Sequence, residues 1–195
     1  MEGGGNETPS TFRLPPSDFR LFYAGRGGAQ KKRKTMTKYA LMIGEEFCWG
    51  CKTCEVACKQ ENGAADGVKL IAIWEDGPKI VAGKLDVSFR VTVCRHCDEP
   101  PCIDACPAEA IAKRPDGIVV LDPEVCTGCG ACLEACPYHA IAFDAAKGIA
   151  QKCNLCHHRV DKGLIPACAD NVCPGHCIHF GDPQAIGQQP MGLRV

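Results

Sequence analysis

The stretch Cys126–Pro137 reads CTGCGACLEACP. Its four cysteines stand at the spacing C-x2-C-x2-C-x3-C, and a proline follows the last. Thiolates are soft ligands that select iron–sulfur clusters or zinc. Zinc sites draw ligands in separated pairs, whereas this run holds four together. The spacing is that of a [4Fe–4S] cluster: three thiolates on one tight loop serve one cube, and the fourth points to the neighbouring cube.

Three more sets surround this one. Cys48, Cys51, Cys54 and Cys58 repeat the spacing, but Lys59 replaces the proline, so a helix can run on through Gln60 towards Gly63. Cys94, Cys97, Cys102 and Cys106 lie in CRHCDEPPCIDACP, where Pro100-Pro101 fixes a longer middle step. His96 inside that loop is read as a hydrogen-bonding residue, because the ligand count is complete without it. The fourth set is looser: Cys153, Cys156, Cys168 and Cys173. Cys173 is followed by Pro174, as Cys106 is by Pro107 and Cys136 by Pro137. Cys177 sits where Ala110 and Ala140 sit, just before an isoleucine. The last ligand is therefore read as Cys173, with Cys177 as the competing candidate and otherwise the spare. His176 and His179 are given structural roles.

Composition agrees with clusters. Of 195 residues 17 are cysteine, an odd number that a closed disulfide framework would not use up. Aromatics are only 6%, so a small core needs another source of stability, and metal bound to the folded state alone supplies one. A net charge of −1 does not point to nucleic acid. No apolar run reaches the roughly 18 residues of a membrane span. No nucleophilic triad, phosphate loop or dinucleotide fingerprint is present, so no catalytic residue is assigned. A cytoplasmic, reducing setting is expected, peripheral to a membrane only through a partner.

The elements that must position the cysteines are short. Residues 1–35 combine Met1–Gly5, Pro15-Pro16 and a basic run from Lys31 to Lys34, with no apolar stretch of a signal peptide behind it. They are read as a disordered leader or an extension, with the folded part at 36–183 and a tail at 184–195. Tyr39–Ile43 predicts a buried strand. Residues 68–93 form a cysteine-free insertion with strands at 68–74 and 88–93, where Trp74 is assigned to packing. Residues 110–114 and 117–121 predict strands about the turn Pro115-Asp116-Gly117, and 140–143 and 148–150 predict another pair. Arg159–Gly163 predicts a short helix. CPAEAIAKRPDGIVVLDPEVC and CPYHAIAFDAAKGIAQKC match element for element, an internal repeat. Each unit resembles half of a two-cluster bacterial ferredoxin. Gly128 and Gly130 are candidate backbone donors to sulfur. Lys52, Arg95 and Lys152 lie beside ligands and could raise a cluster potential; the preferred reading is a solvated surface charge for each.

CWGCKTCEVACKQEN, CRHCDEPPCIDACP, CTGCGACLEACPYHAI and CNLCHHRVDKGLIPAC together resemble the four-cluster ferredoxin-type electron-transfer subunits of molybdenum and tungsten oxidoreductases, over about Thr37–Pro183. These are the iron–sulfur subunits of the dimethyl sulfoxide reductase type, with similar small subunits in tungsten aldehyde oxidoreductases and benzoyl-CoA reductases. The resemblance implies an α+β fold of two intertwined βαβ-βαβ units with short strands and helices around four [4Fe–4S] clusters. Sets one and four would form one subdomain, and sets two and three the other. It implies exchanged ligands: Cys48, Cys51, Cys54 and Cys173; Cys153, Cys156, Cys168 and Cys58; Cys94, Cys97, Cys102 and Cys136; Cys126, Cys129, Cys132 and Cys106. It implies a large molybdopterin- or tungstopterin-containing partner, and it allows a third redox subunit of flavin or membrane-quinone type and self-stacking of copies. A free polyferredoxin and a zinc scaffold are the competing functions.

Overall fold

The computed structural model describes residues 21–22 and 39–187. The first expected boundary, at residues 35 and 36, lies outside them, as does most of the tail. Leu21–Phe22 (β1) pairs antiparallel with Ala40–Ile43 (β2), which pairs on its other side with Ile178–Gly181 (β9). The order β1-β2-β9 joins the beginning of the described residues to their end. All four β2 residues are buried, as a short apolar run predicts.

Between β2 and β9 the sequence alternates cysteine loops, short helices and hairpins. Thr53–Asn62 (α1) carries the end of the first set and stops at Gly63 in the left-handed conformation, a common helix end. Ile71–Val81 (β3) and Lys84–Val93 (β4) make a long hairpin. The expected strands were shorter, because Gly77-Pro78 reads as a break. It is instead a register shift within the hairpin, between Asp76 and Lys79. The turn falls at Ala82 and Gly83, both at positive φ, a turn geometry that matches strand twist. Glu45 and Glu55 clamp the hairpin base: their carboxylates accept the Val91 N–H at 2.8 Å and the Ile73 N–H at 2.6 Å.

The repeated units follow. Pro101–Asp104 (α2) precedes Ile111–Lys113 (β5) and Val119–Leu121 (β6); Ala131–Ala135 (α3) precedes Ile141–Asp144 (β7) and Ile149–Lys152 (β8). Each strand pair is antiparallel. His157–Val160 (α4) starts two residues before the predicted helix. The result is a small α+β fold of short strands and few helices.

Two elements differ from the sequence-based expectation. Pro183–Ile186 (α5) was expected at the start of a weakly anchored tail, yet Ile186 is buried against Ala40 and Met42. Asp182 caps it by accepting the Gln184 N–H at 2.8 Å, with Pro183 at the first helical position. Trp74, assigned to packing, is 56% exposed on the hairpin, and its indole N–H donates to Thr92 Oγ1 at 3.1 Å.

Two cores hold the cysteines. One gathers Ile43, Ile71, Val93, Ile118 and Leu155 around thiols of sets one and four. The other gathers Val119, Ile111, Ile141 and Ala150 around Cys102 and Cys132. Arg114 crosses from the β5–β6 turn to Asp161, with bonds of 2.6 and 3.0 Å.

Candidate metal centres

The four cysteine loops share one backbone device. The residue two places after the first cysteine of each set lies in the left-handed region: Gly50, His96, Gly128 and Leu155. That conformation reverses the backbone, so the N–H of His96 donates to Cys94 Sγ at 3.5 Å and that of Leu155 to Cys153 Sγ at 3.4 Å. Gly50 is hydrogen-bonded to Cys48 in the same way. At Gly128 only glycine fits, because an added Cβ would sit on the carbonyl oxygen of Gly148.

A second device follows the Cys-Pro steps. Glu109, His139 and His176 each stand three residues after Cys106, Cys136 and Cys173, and each is left-handed. Their N–H groups donate to the carbonyls of those cysteines at 3.0–3.1 Å. The next N–H then reaches sulfur: Ala110 to Cys106 Sγ at 3.3 Å and Ala140 to Cys136 Sγ at 3.5 Å. Cys177 supplies the same backbone bond to Cys173. Cys173 thus occupies the place of Cys106 and Cys136, and the x4 step before it leaves that turn intact.

The thiols come together across the sets. One hollow is lined by Cys48, Cys51, Cys54, Cys173 and Cys177. A second is lined by Cys94, Cys97, Cys102 and Cys136 with Val119 and Tyr138. Cys132 stands within electrostatic reach of Cys126, Cys129 and Cys106, and Cys168 within reach of Cys153, Cys156 and Cys58. Thiols of different sets therefore meet in each place, Cys54 also lying within reach of Cys168.

Burial pushes Cys54 and Cys58 up to about 12 and Cys102 to about 11, with neighbouring thiolates adding repulsion. A metal bound there would displace those protons, because a thiol ligates as the thiolate. Cys177 differs. Its Sγ lies 3.4 Å from Cys173 Sγ and is also hydrogen-bonded to Cys48. The contact lowers the pKa of Cys173 and Cys48 and raises that of Cys177.

The donor set fits cubes better than single ions. Among the described residues, no three His, Cys, Asp or Glu groups converge closely enough to hold one metal ion. Groups of four thiols spread around a hollow suit a cluster that presents an iron at each corner. The buried Nε2 of His96 has no hydrogen-bond partner among the described residues, and a cluster sulfide would supply one.

Residues 85–183 match the 4Fe-4S dicluster domain family. The protein is 36% identical over 176 residues to a putative dimethyl sulfoxide reductase iron-sulfur subunit of Halobacterium salinarum, covering 75% of this sequence and 67% of the relative. It is 37% identical over 147 residues to the B component of polysulfide reductase from Wolinella succinogenes, covering 74% and 76%. The B component of anaerobic dimethyl sulfoxide reductase from Escherichia coli is 36% identical over 152 residues, covering 74% of each. This protein belongs to the 4Fe-4S dicluster family.

Within this dicluster protein the charges beside the ligands divide. Lys52 is exposed, as expected of a solvated charge. Arg95 stacks on the Tyr138 ring, 3.7 Å from its centroid. Lys152 overturns the expectation: it is 4% exposed, inside the protein. His96 is also buried. Its Nδ1 accepts the Val119 N–H at 2.9 Å. Desolvation, with the positive charges of Lys152 and Lys113, holds it well below the ordinary histidine value, so it is neutral. His179 bonds the His176 carbonyl at 3.1 Å, a structural role. No helix among the described residues is long and apolar enough to cross a membrane.

Proposed function

We propose that this protein is the iron–sulfur electron-transfer subunit of a multi-subunit reductase, carrying four [4Fe–4S] clusters and performing no chemistry on substrate itself. What supports this reading is that thiols of different sets come together: Cys173 and Cys177 with the Cys48 set, Cys136 with the Cys94 set, Cys106 with the Cys126 set and Cys58 with the Cys153 set. The ligand sets are those named from the sequence, with Cys173 as the last ligand of the Cys48 group. Exchanged ligands make neighbouring cubes adjacent, and adjacency is what a one-electron relay requires. Two intertwined ferredoxin-like units, sets one and four with sets two and three, account for the near-identical loop turns.

The relatives are named as components of dimethyl sulfoxide and polysulfide reductases. By extension this protein serves a larger catalytic subunit containing molybdopterin or tungstopterin, with a third redox subunit at the far end and the assembly on the cytoplasmic side. The β3–β4 hairpin supports a fixed partner over free diffusion: Ile80 and Leu85 near its tip are 70% and 71% exposed, more apolar surface than a diffusible carrier needs.

Anaerobic purification of the native assembly with metal and sulfide analysis tests the reading. Iron with equal acid-labile sulfide, and a large molybdenum- or tungsten-containing subunit that stays attached, is the expected result. Zinc without sulfide would overturn the cluster reading. Clusters on a protein that never retains a partner would leave a free polyferredoxin.

A further inference from the structure

Lys152 ends β8 one residue before Cys153, and its side chain turns inward. Nζ donates to the Cys153 carbonyl at 2.8 Å and to the Val119 carbonyl. Val119 lines the hollow of Cys94, Cys97, Cys102 and Cys136. Cys153 belongs to the group of Cys156, Cys168 and Cys58. The ammonium therefore stands between two thiol groups, one from each half of the protein. Cys94 and Cys153 lie within electrostatic reach of each other across this junction. The Val119 peptide fixes both buried neighbours: its N–H holds His96 Nδ1 and its carbonyl holds Lys152 Nζ.

A buried ammonium is costly unless it is paired. Two carbonyls satisfy two of its three donors but bring no net charge. Among the described residues, no carboxylate lies within ion-pair distance of Nζ. The negative charge available at this point is that of thiolate-ligated clusters on either side.

Granting the four-cluster reading, we infer that Lys152 is the countercharge shared by the Cys94-group and Cys153-group clusters, raising both reduction potentials and so setting the electron step between the two halves. Each cluster gains one negative charge on reduction, and a nearby fixed cation favours that form. No bond is made or broken, and no proton need move. Lys152 is a positioning residue that acts through its field.

The test uses the full-length protein, purified anaerobically with its clusters, and reads each midpoint potential by EPR-monitored redox titration. Lys152→Met removes the charge with little change in volume. Two of the four signals are expected to shift downward, their reduced-to-oxidised ratios at fixed ambient potential falling by about tenfold (about 59 mV for a one-electron couple). The other two stay in place, and Lys152→Arg keeps near-native values. If Lys152→Met fails to retain clusters, Lys152→Gln decides, since its amide still donates to a carbonyl without charge. Unchanged potentials, an equal shift of all four, or iron loss in the Gln variant too would each overturn the inference. Wild-type protein without four clusters would instead overturn the function proposed above.

Discussion

The Sγ atoms of Cys173 and Cys177 lie 3.4 Å apart in a hollow that Cys48, Cys51 and Cys54 also line. Five thiols meet where a cube takes four. The backbone favours Cys173 as the ligand: it has the turn and N–H donors of Cys106 and Cys136, while Cys177 fills the buried place of Ala110 and Ala140. Cys177→Ala should therefore keep the full iron content. Cys173→Ala should cost about a quarter of the iron, the share of one cube in four. Iron and sulfide analysis checks both variants, and the reverse pattern would make Cys177 the ligand.

Cys136 ends the loop of Cys126, Cys129 and Cys132, yet it lines the hollow of Cys94, Cys97 and Cys102. Cys136→Ala should first damage the cluster of the Cys94 group. EPR of the reduced protein, compared with Cys97→Ala and Cys129→Ala, identifies which signal is lost. A spectrum matching Cys129→Ala would mean that the loop keeps its own fourth ligand.

Gly128 and Gly130 are both left-handed, at φ +69 and +79. An alanine in that conformation costs about 1–2 kcal/mol. At Gly130 the space is open, and the cost stops there. At Gly128 the new methyl meets the Gly148 carbonyl, which belongs to the adjacent turn and cannot move freely. Overpacking adds about 1–3 kcal/mol. Gly128→Ala should thus lose its visible cluster absorbance at a clearly lower temperature than Gly130→Ala. Equal melting of the two would mean that the β7–β8 turn gives way.

Much of this was legible in the cysteine spacing. Spacing fixes which loops bind, and the Cys-Pro steps and the duplicated segment mark the hairpins between them. What the spacing could not show was burial. Lys52 and Lys152 both adjoin cysteines of the four sets, yet one faces water and the other lies inside; that depends on β6 packing over Lys152, a contact between residues 33 apart in sequence. Trp74 and the hairpin tip carry an apolar pattern that suits a core, but none of the described residues folds over them. The short helix at Pro183 was missed despite its signal, an aspartate before a proline.

Arg159 ties the fourth set to the first. Its guanidinium donates to Glu61 at 2.9 Å, to Asp170 at 2.7 Å and to the Ile165 carbonyl at 2.8 Å. Glu61 also meets His158 at 2.7 Å. The His158 bond, and then Arg159, hold the Glu61 carboxyl below its usual value of 4.5. A carboxylate depressed in the folded state adds stability at pH values above its unfolded pKa, and that stability is lost as pH falls through the folded value. Between about pH 8 and about pH 6 the carboxylate stays ionised, so its contribution is constant there. Arg159→Met should lower the thermal midpoint of cluster loss by a few degrees, equally across that window. A penalty that changes with pH inside it would mean that a group other than Arg159 and Glu61 carries the contact.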